Sequence, residues 1–279
     1  MEAVLPRAEP GHSQLTRTGV NILKIPTRRL LLLLTLLIGG AAAAGEPAQQ
    51  VLEKVASAYG ATPPAAIRQT GTTTSFTRGN GTLKRLFRAP DRFRSEISYA
   101  SGIEVRTLHG AMAWNQGAQA NAAARSAIVL QAARIALPWN LLALKSGIVD
   151  KGVESNSAGK AVQIIEFQVE PQLKMIVGIE IESGHIVRSL GIMAFGAQTV
   201  EFATHYSDFH SQGGRTYAGR EEQFATGRHI GYSIIDRVEY PQTLPDSAFE
   251  PGTVVDARQP ADFELLATAT ALAQRKHIP

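Results

Sequence analysis

The chain has 279 residues, a formal net charge of +4 and no cysteine. The missing cysteine excludes disulfides, thiolate metal sites, a cysteine nucleophile and a lipidated N-terminal cysteine. Of the net charge, +3 lies in the first 45 residues, where Arg7, Arg17, Lys24, Arg28 and Arg29 outweigh Glu2 and Glu9. The basic balance therefore belongs to the leader and gives no ground for nucleic-acid binding.

Arg28 and Arg29 precede an apolar run from Leu30 to Ile38, which is followed by Gly39, Gly40 and the alanines before Gly45. A basic pair, a short apolar run and small residues are the parts of a secretory signal. The run is shorter than the ~20 residues of a membrane span, although the alanines extend it. Cleavage near Gly45 and retention as an uncleaved anchor both stand. Residues 1–45 are read as a signal peptide, 46–260 as one folded domain and 261–279 as a tail.

After the leader, Val51, Leu52, Val55, Ala58 and Tyr59 recur at helical spacing, with Pro47 suited to the first turn and Gly60 to the stop. Ile67 to Phe76 reads as a Thr-rich strand ending at Gly79-Asn80-Gly81, where Asn80 and Gly81 accept the positive φ of a tight hairpin turn. The next strand ends at Ala89-Pro90-Asp91. From Arg92 to Tyr99 the chain alternates, with Phe93, Ser95, Ile97 and Tyr99 on one side and Arg92, Arg94, Glu96 and Ser98 on the other. That is a strand with one dry and one wet face. Ile103, Val105 and Thr107 alternate with Glu104 and Arg106, and Met112 and Trp114 follow the turn at His109-Gly110. The whole stretch reads as an antiparallel meander.

From Gln119 to Ser146 the chain is rich in Ala, Leu and Ile and poor in charge. It reads as two short helices separated at Pro138 and stopped by Gly147. So few polar residues imply burial on more than one side. Strands resume at Ala161 to Glu170, with Val162, Ile164 and Phe167 read as inward. Leu173, Met175, Val177, Ile179 and Ile181 alternate next, and runs over Ile186–Ala194, Thr199–Phe209, Gly213–Phe224 and His229–Tyr240 complete the series. The fold class is mainly β (α+β), with an antiparallel sheet of about eleven strands that curls into a half-barrel and short helices that close it. The tail from Asp262 to Lys276 reads as a short helix or a frayed end.

Candidate chemical sites are few. His205, Asp208 and His210 are metal-ligand types, but residues 205 and 210 of a strand point to opposite faces unless the strand bends. No Gly-x-Ser-x-Gly and no phosphate-binding Gly-rich loop occurs. Glu221 and Glu222 are strand neighbours and face apart, so they are no acid–base pair. No cofactor and no metal is expected. Arg85, Arg88, Arg92 and Arg94 form a basic group that serves as a solvated strand face or as a contact for an acidic partner or lipid headgroups.

Pro90-Asp91-Arg92-Phe93-Arg94 between two strands, then a Gly-containing turn and Trp114-Asn115, resembles the LolA-like family of periplasmic lipoprotein carriers. Leu244-Pro245-Asp246-Ser247-Ala248-Phe249-Glu250-Pro251-Gly252, followed by Val254-Val255, is similar to that family's closing segment. The resemblance implies a monomeric periplasmic carrier that holds acyl chains of lipids or lipoproteins in an apolar cavity. It also implies an inner-membrane donor, an outer-membrane acceptor and no catalysis. Candidate cavity residues are Phe87, Phe93, Ile97, Trp114, Trp139, Leu141, Met175, Phe202 and Tyr206. The family's arginine before the Pro, which helps to hold the cavity closed, is replaced here by Ala89. Two other readings stay open: a non-transporting envelope binding or scaffold protein of the same fold, and an enzyme built around His205, Asp208 and His210.

Overall fold

The computed structural model describes residues 48–144, 147–195 and 198–251. The residues read as a leader, the Val254-Val255 match and the tail lie outside the described residues.

Thirteen strands form one antiparallel sheet that does not close on itself. The first meander comprises β1 (Ala66–Ser75), β2 (Gly79–Arg88), β3 (Arg92–Tyr99), β4 (Gly102–His109), β5 (Met112–Asn115) and β6 (Ala118–Gln119). The second comprises β7 (Ile148–Ser155), β8 (Ala161–Glu170), β9 (Leu173–Glu180), β10 (Ile186–Phe195), β11 (Gln198–Gln212), β12 (Arg215–Ala225) and β13 (Arg228–Glu239). They join where β1 pairs with β13, which leaves β6 and β7 as the two edges. The chain must cross from one edge to the other between them. It does so through α2 (Ala122–Ile135) and α3 (Leu137–Ala143), which are bent 85° to one another. Topology therefore carries these helices over the open side, and α2 touches β4 and β5 of one meander and β9 and β10 of the other. The N-terminal helix α1 (Ala48–Tyr59) packs on α3 and β12.

Two strands exceed the eleven read from the sequence. β6 has only two residues, and β7 is an edge strand whose residues are exposed beyond Ile148, so neither has a buried face to impose alternation. Inside β8 the reading is corrected. Ile165 and Phe167 face the main core, opposite Val177 and Met175, while Val162 and Ile164 lie buried on the other face. The run Val-Gln-Ile-Ile-Glu-Phe is apolar on both sides, so periodicity alone could not orient it.

The concave core is seen along one cross-strand row. Ile67, Phe87, Phe93, Leu108 and Ala113 stand directly opposite one another on β1 to β5, and all are buried. Partners opposite each other in an antiparallel pair share a face, so the row is one continuous apolar wall. Burying each large side chain in it contributes about 1.5–3 kcal/mol.

The convex face carries a smaller cluster of Ala66, Leu86, Leu244 and Phe249. Phe249 comes from a short 3-10 turn, Asp246–Phe249, in the closing segment. Arg88 donates to the Leu244 carbonyl, pairs with Asp246 and lies over the Phe249 ring at 5.4 Å. Arg94 donates to the Glu250 carbonyl at 2.6 Å. The ion pair with Arg88 holds the Asp246 carboxyl below its ordinary range. A depressed carboxylate pKa means that this pairing is complete at neutral pH and is lost only as pH falls through the lowered value. An NMR titration should show Asp246 returning to the ordinary carboxylate range in Arg88→Ala. An unchanged midpoint would mean that Arg88 does not hold this segment.

Candidate functional site: a cavity under the crossover helices

Between the concave face and the undersides of α2 and α3 lies a cavity of about 420 Å³. Its apolar wall includes Phe93 and Ile97 from β3, Ile128 and Ile135 from α2, Trp139 from α3 and Phe202 from β11. A volume of this size falls within the ~300–1,000 Å³ of pockets that enclose a small ligand.

The helices are fixed over this space by specific bonds. Asn121 caps α2, its Oδ1 accepting from the Ala124 amide at 2.9 Å. Arg125 makes two bonds to Glu170 at the end of β8, at 2.8 and 2.9 Å, and donates through Nε to the Ala111 carbonyl between β4 and β5 at 2.8 Å. One side chain thus clasps both meanders, and its bonds to Glu170 raise its pKa. Trp139 Nε1 donates to the Gly60 carbonyl at 3.0 Å, and the Arg215 guanidinium lies 5.4 Å from the rings of Trp139 and Tyr240.

Polar groups also face inward. The cross-strand row next to the apolar one is Gln69, Arg85, Ser95, Arg106 and Asn115, and all five line the cavity. Arg85 reaches over β1 and β13 to Glu221 on β12, at 2.7 Å. Glu104, itself buried, pairs with Arg106 at 2.9 Å and with Arg78. On α2, Arg134 donates to the Phe202 carbonyl at 2.6 Å. Burial pulls the Arg134 pKa down, while Tyr206 and Glu221 act in the opposite direction. Burial pushes the Tyr206 phenol up, and its hydroxyl bonds Ser189 Oγ at 2.9 Å.

Of the nine candidate residues, Phe93, Ile97, Trp139, Phe202 and Tyr206 stand in the cavity wall. The other four do not. Phe87 lies beside Phe93 in the apolar row, packed into the core. Leu141 and Met175 are fully buried core residues. Trp114 is opposite Thr107, and Thr107 is opposite Arg94, so it belongs to the convex face; Ala113 and Asn115 point inward instead. Strand spacing placed Met112 and Trp114 together but left open which face they share.

The basic group divides in the same way. Arg85 is inside the cavity, whereas Arg88 and Arg94 hold the closing segment. Arg92 is opposite Arg88 and lies partly buried. They do not form a single surface. Arg134 was missed, although an arginine among the buried Ile, Val, Leu and Ala of α2 is a signal that sequence alone offers.

The histidines take aromatic neighbours. His205 lies 4.7 Å from the Phe224 ring and His210 lies 5.5 Å from Tyr217. Among the described residues no group of three His, Asp or Glu converges on a common point. Glu221 and Glu222 diverge, the first toward Arg85 and the second toward Arg220.

No protein-family model matches the chain, and no curated protein does. Solved structures are similar in shape. A LolA superfamily protein from Nitrosomonas europaea matches at a TM-score of 0.46 and 10% identity, over 72% of this chain and 96% of its own. A protein domain from Vibrio parahaemolyticus described as outer membrane lipoprotein-sorting matches at 0.44 and 10%, over 72% and 94%. A DUF1329 family protein from Desulfovibrio piger matches at 0.45 and 11%, over 74% and 98%. At identities of 10–11% and TM-scores of 0.44–0.46 these are distant likenesses of shape.

Proposed function

We propose that the chain binds an acyl chain of a lipid or lipoprotein in the cavity and carries it across the periplasm toward the outer membrane. The observation that supports this reading is the cavity itself: mostly apolar, about 420 Å³, and roofed by helices that the chain topology places across an open sheet. A 16-carbon chain leaving a bilayer loses about 13 kcal/mol, at ~0.8 kcal/mol per CH₂, unless a dry site receives it. A scaffold protein of the same fold needs no such space. Nothing in the arrangement requires covalent chemistry.

Trp139 gives a direct test, because it stands in the wall while Trp114 is on the convex face. In Trp114→Phe, the remaining tryptophan emission should change saturably on titration with acyl probes. Native mass spectrometry of protein purified from its own envelope should show a co-purifying lipid. A folded protein that answers no acyl probe and carries no lipid would rule out the carrier.

The carrier reading also requires export through the leader. N-terminal sequencing of periplasmic material should begin near Gly45. Material that still begins before Leu30 would show an anchor instead.

A further inference from the structure

The acyl-chain reading accounts for the apolar wall but not for the charges set into it. Apart from His229, the ionisable side chains with ordinary charges at neutral pH that line the cavity are Arg78, Arg85, Arg106, Arg134 and Arg228 against Glu104 and Glu221. Arg228 is exposed to solvent, which leaves four guanidinium groups in the wall against two carboxylates, and both carboxylates are already engaged by Arg78, Arg106 and Arg85. A guanidinium remains charged in a protein interior, so the excess cannot be relieved by losing protons.

Arg134 is the least compensated of them. Among the described residues it makes no ion pair, and its one hydrogen bond is to the Phe202 carbonyl. Its Nε is sealed from solvent and has no partner among those residues. Glu221 lies near enough to favour its charge, but that carboxylate bonds Arg85, whose own charge opposes Arg134. Arg85 holds that carboxylate in a direct ion pair and Arg134, in the same cavity wall, has none. Such a cluster is costly unless a further anion completes it. A neutral or cationic ligand would leave this deficit in place.

Resting on the reading that the cavity takes an acyl chain, we propose that the ligand's polar end is an anion, a carboxylate or a phosphate monoester, received by Arg134 with Arg85 beside it. The planar fork of a guanidinium suits both groups, since each offers two oxygens to parallel N–H donors. The chain then lies along Phe93, Ile97 and Phe202, and the headgroup meets the Arg134 guanidinium, whose rearrangement on binding frees the sealed Nε to donate. This orientation places the head inside and against α2, unlike a carrier that leaves the head in water.

The test compares dodecanoate, dodecyl phosphate, dodecanol and dodecyltrimethylammonium below their micelle concentrations, with acetate and inorganic phosphate as chain-free controls. Trp139 emission in Trp114→Phe is the readout. Dodecanoate and dodecyl phosphate should bind at least tenfold more tightly than dodecanol, and the cation most weakly. Arg134→Gln should bring the ratio of anion to alcohol affinity close to one, and Arg134→Lys should restore part of it. If Arg134→Gln does not fold, the ¹⁵Nε resonance of Arg134 in the unmutated side chain should shift on adding dodecanoate and not on adding dodecanol. Equal binding of anion and alcohol, an anion preference that survives in folded Arg134→Gln, or an unmoved Nε resonance would each overturn the inference and leave the acyl-chain reading intact. Inorganic phosphate binding as tightly as dodecyl phosphate would also overturn it, by showing a free-anion site. Failure of every amphiphile to bind would instead defeat the acyl-chain reading.

Discussion

Truncating Phe93 to alanine is expected to destabilise the protein by about 3–5 kcal/mol, the range for large aromatic deletions in packed cores. Phe93 is 1% exposed and is flanked across the strands by Phe87 and Leu108, so its removal strips contacts from both neighbours. The site cannot collapse to compensate. Its remaining side already borders the cavity, and the strands on either side are held by full ladders of hydrogen bonds. Phe202 is the useful comparison, because it also borders the cavity but keeps part of its surface uncovered. Phe202→Ala should therefore cost less than Phe93→Ala. Urea unfolding of both variants checks this through the shift in midpoint at constant slope. A loss below about 1 kcal/mol for Phe93→Ala would fall outside the range for a packed aromatic and would show that the row Ile67–Phe87–Phe93–Leu108 is loosely filled.

Phe93 was legible in the sequence because β3 alternates without interruption, and one dry face is the commonest reason for such a pattern. The same reasoning fixed Ser95, Ile97 and Tyr99 beside it, and all of them line the cavity. The helical crossover was legible for a different reason: an apolar segment broken at Pro138 has no hydrophilic side to show to water. Where the signal failed, a physical condition was missing. β7 has almost no buried face, and β8 has two, so neither shows a period of two. Trp114 needed the register of β4 with β5, and Arg85 needed that of β2 with β3, before either could be assigned to a face. The pairing of Arg85 with Glu221 joins residues 136 apart in sequence, and only the curl of the sheet brings them together. Charge complementarity of that kind depends on topology, and no local pattern announces it. In this chain, bonds from α2 itself, through Arg125 and Arg134, tie the helix to the sheet.

Replacing Gly191 by valine is expected to lift α2 from its seat. Gly191 lies in β10 opposite Phe202, and a Cβ placed there would stand 2.9 Å from Leu130 Cδ1 and 3.0 Å from Arg134 Nη2. The helix approaches this closely because the strand offers no side chain at that point. Leu130 is fully buried, so its side chain and that of Arg134 must repack around the added methyl groups, which press on the helix that carries both. Overpacking of this kind costs about 1–3 kcal/mol. The consequence should fall unevenly. The bond from Arg134 to the Phe202 carbonyl sits over Gly191 and should weaken first, while β3 on the far meander should hardly respond. Hydrogen exchange measures the difference: amides of α2 should exchange faster in Gly191→Val, and those from Arg92 to Tyr99 should keep their rates. The same experiment bears on gating. An acyl ligand that enters beneath α2 exchanges helix–sheet contacts for contacts with its own chain, so opening exposes little apolar area. Adding such a ligand to the unmutated protein should then alter protection in α2 and α3 and leave β3 unchanged. If α2 is equally protected with and without ligand, and Gly191→Val unfolds the whole sheet together with the helix, the crossover is ordinary core and not a movable roof.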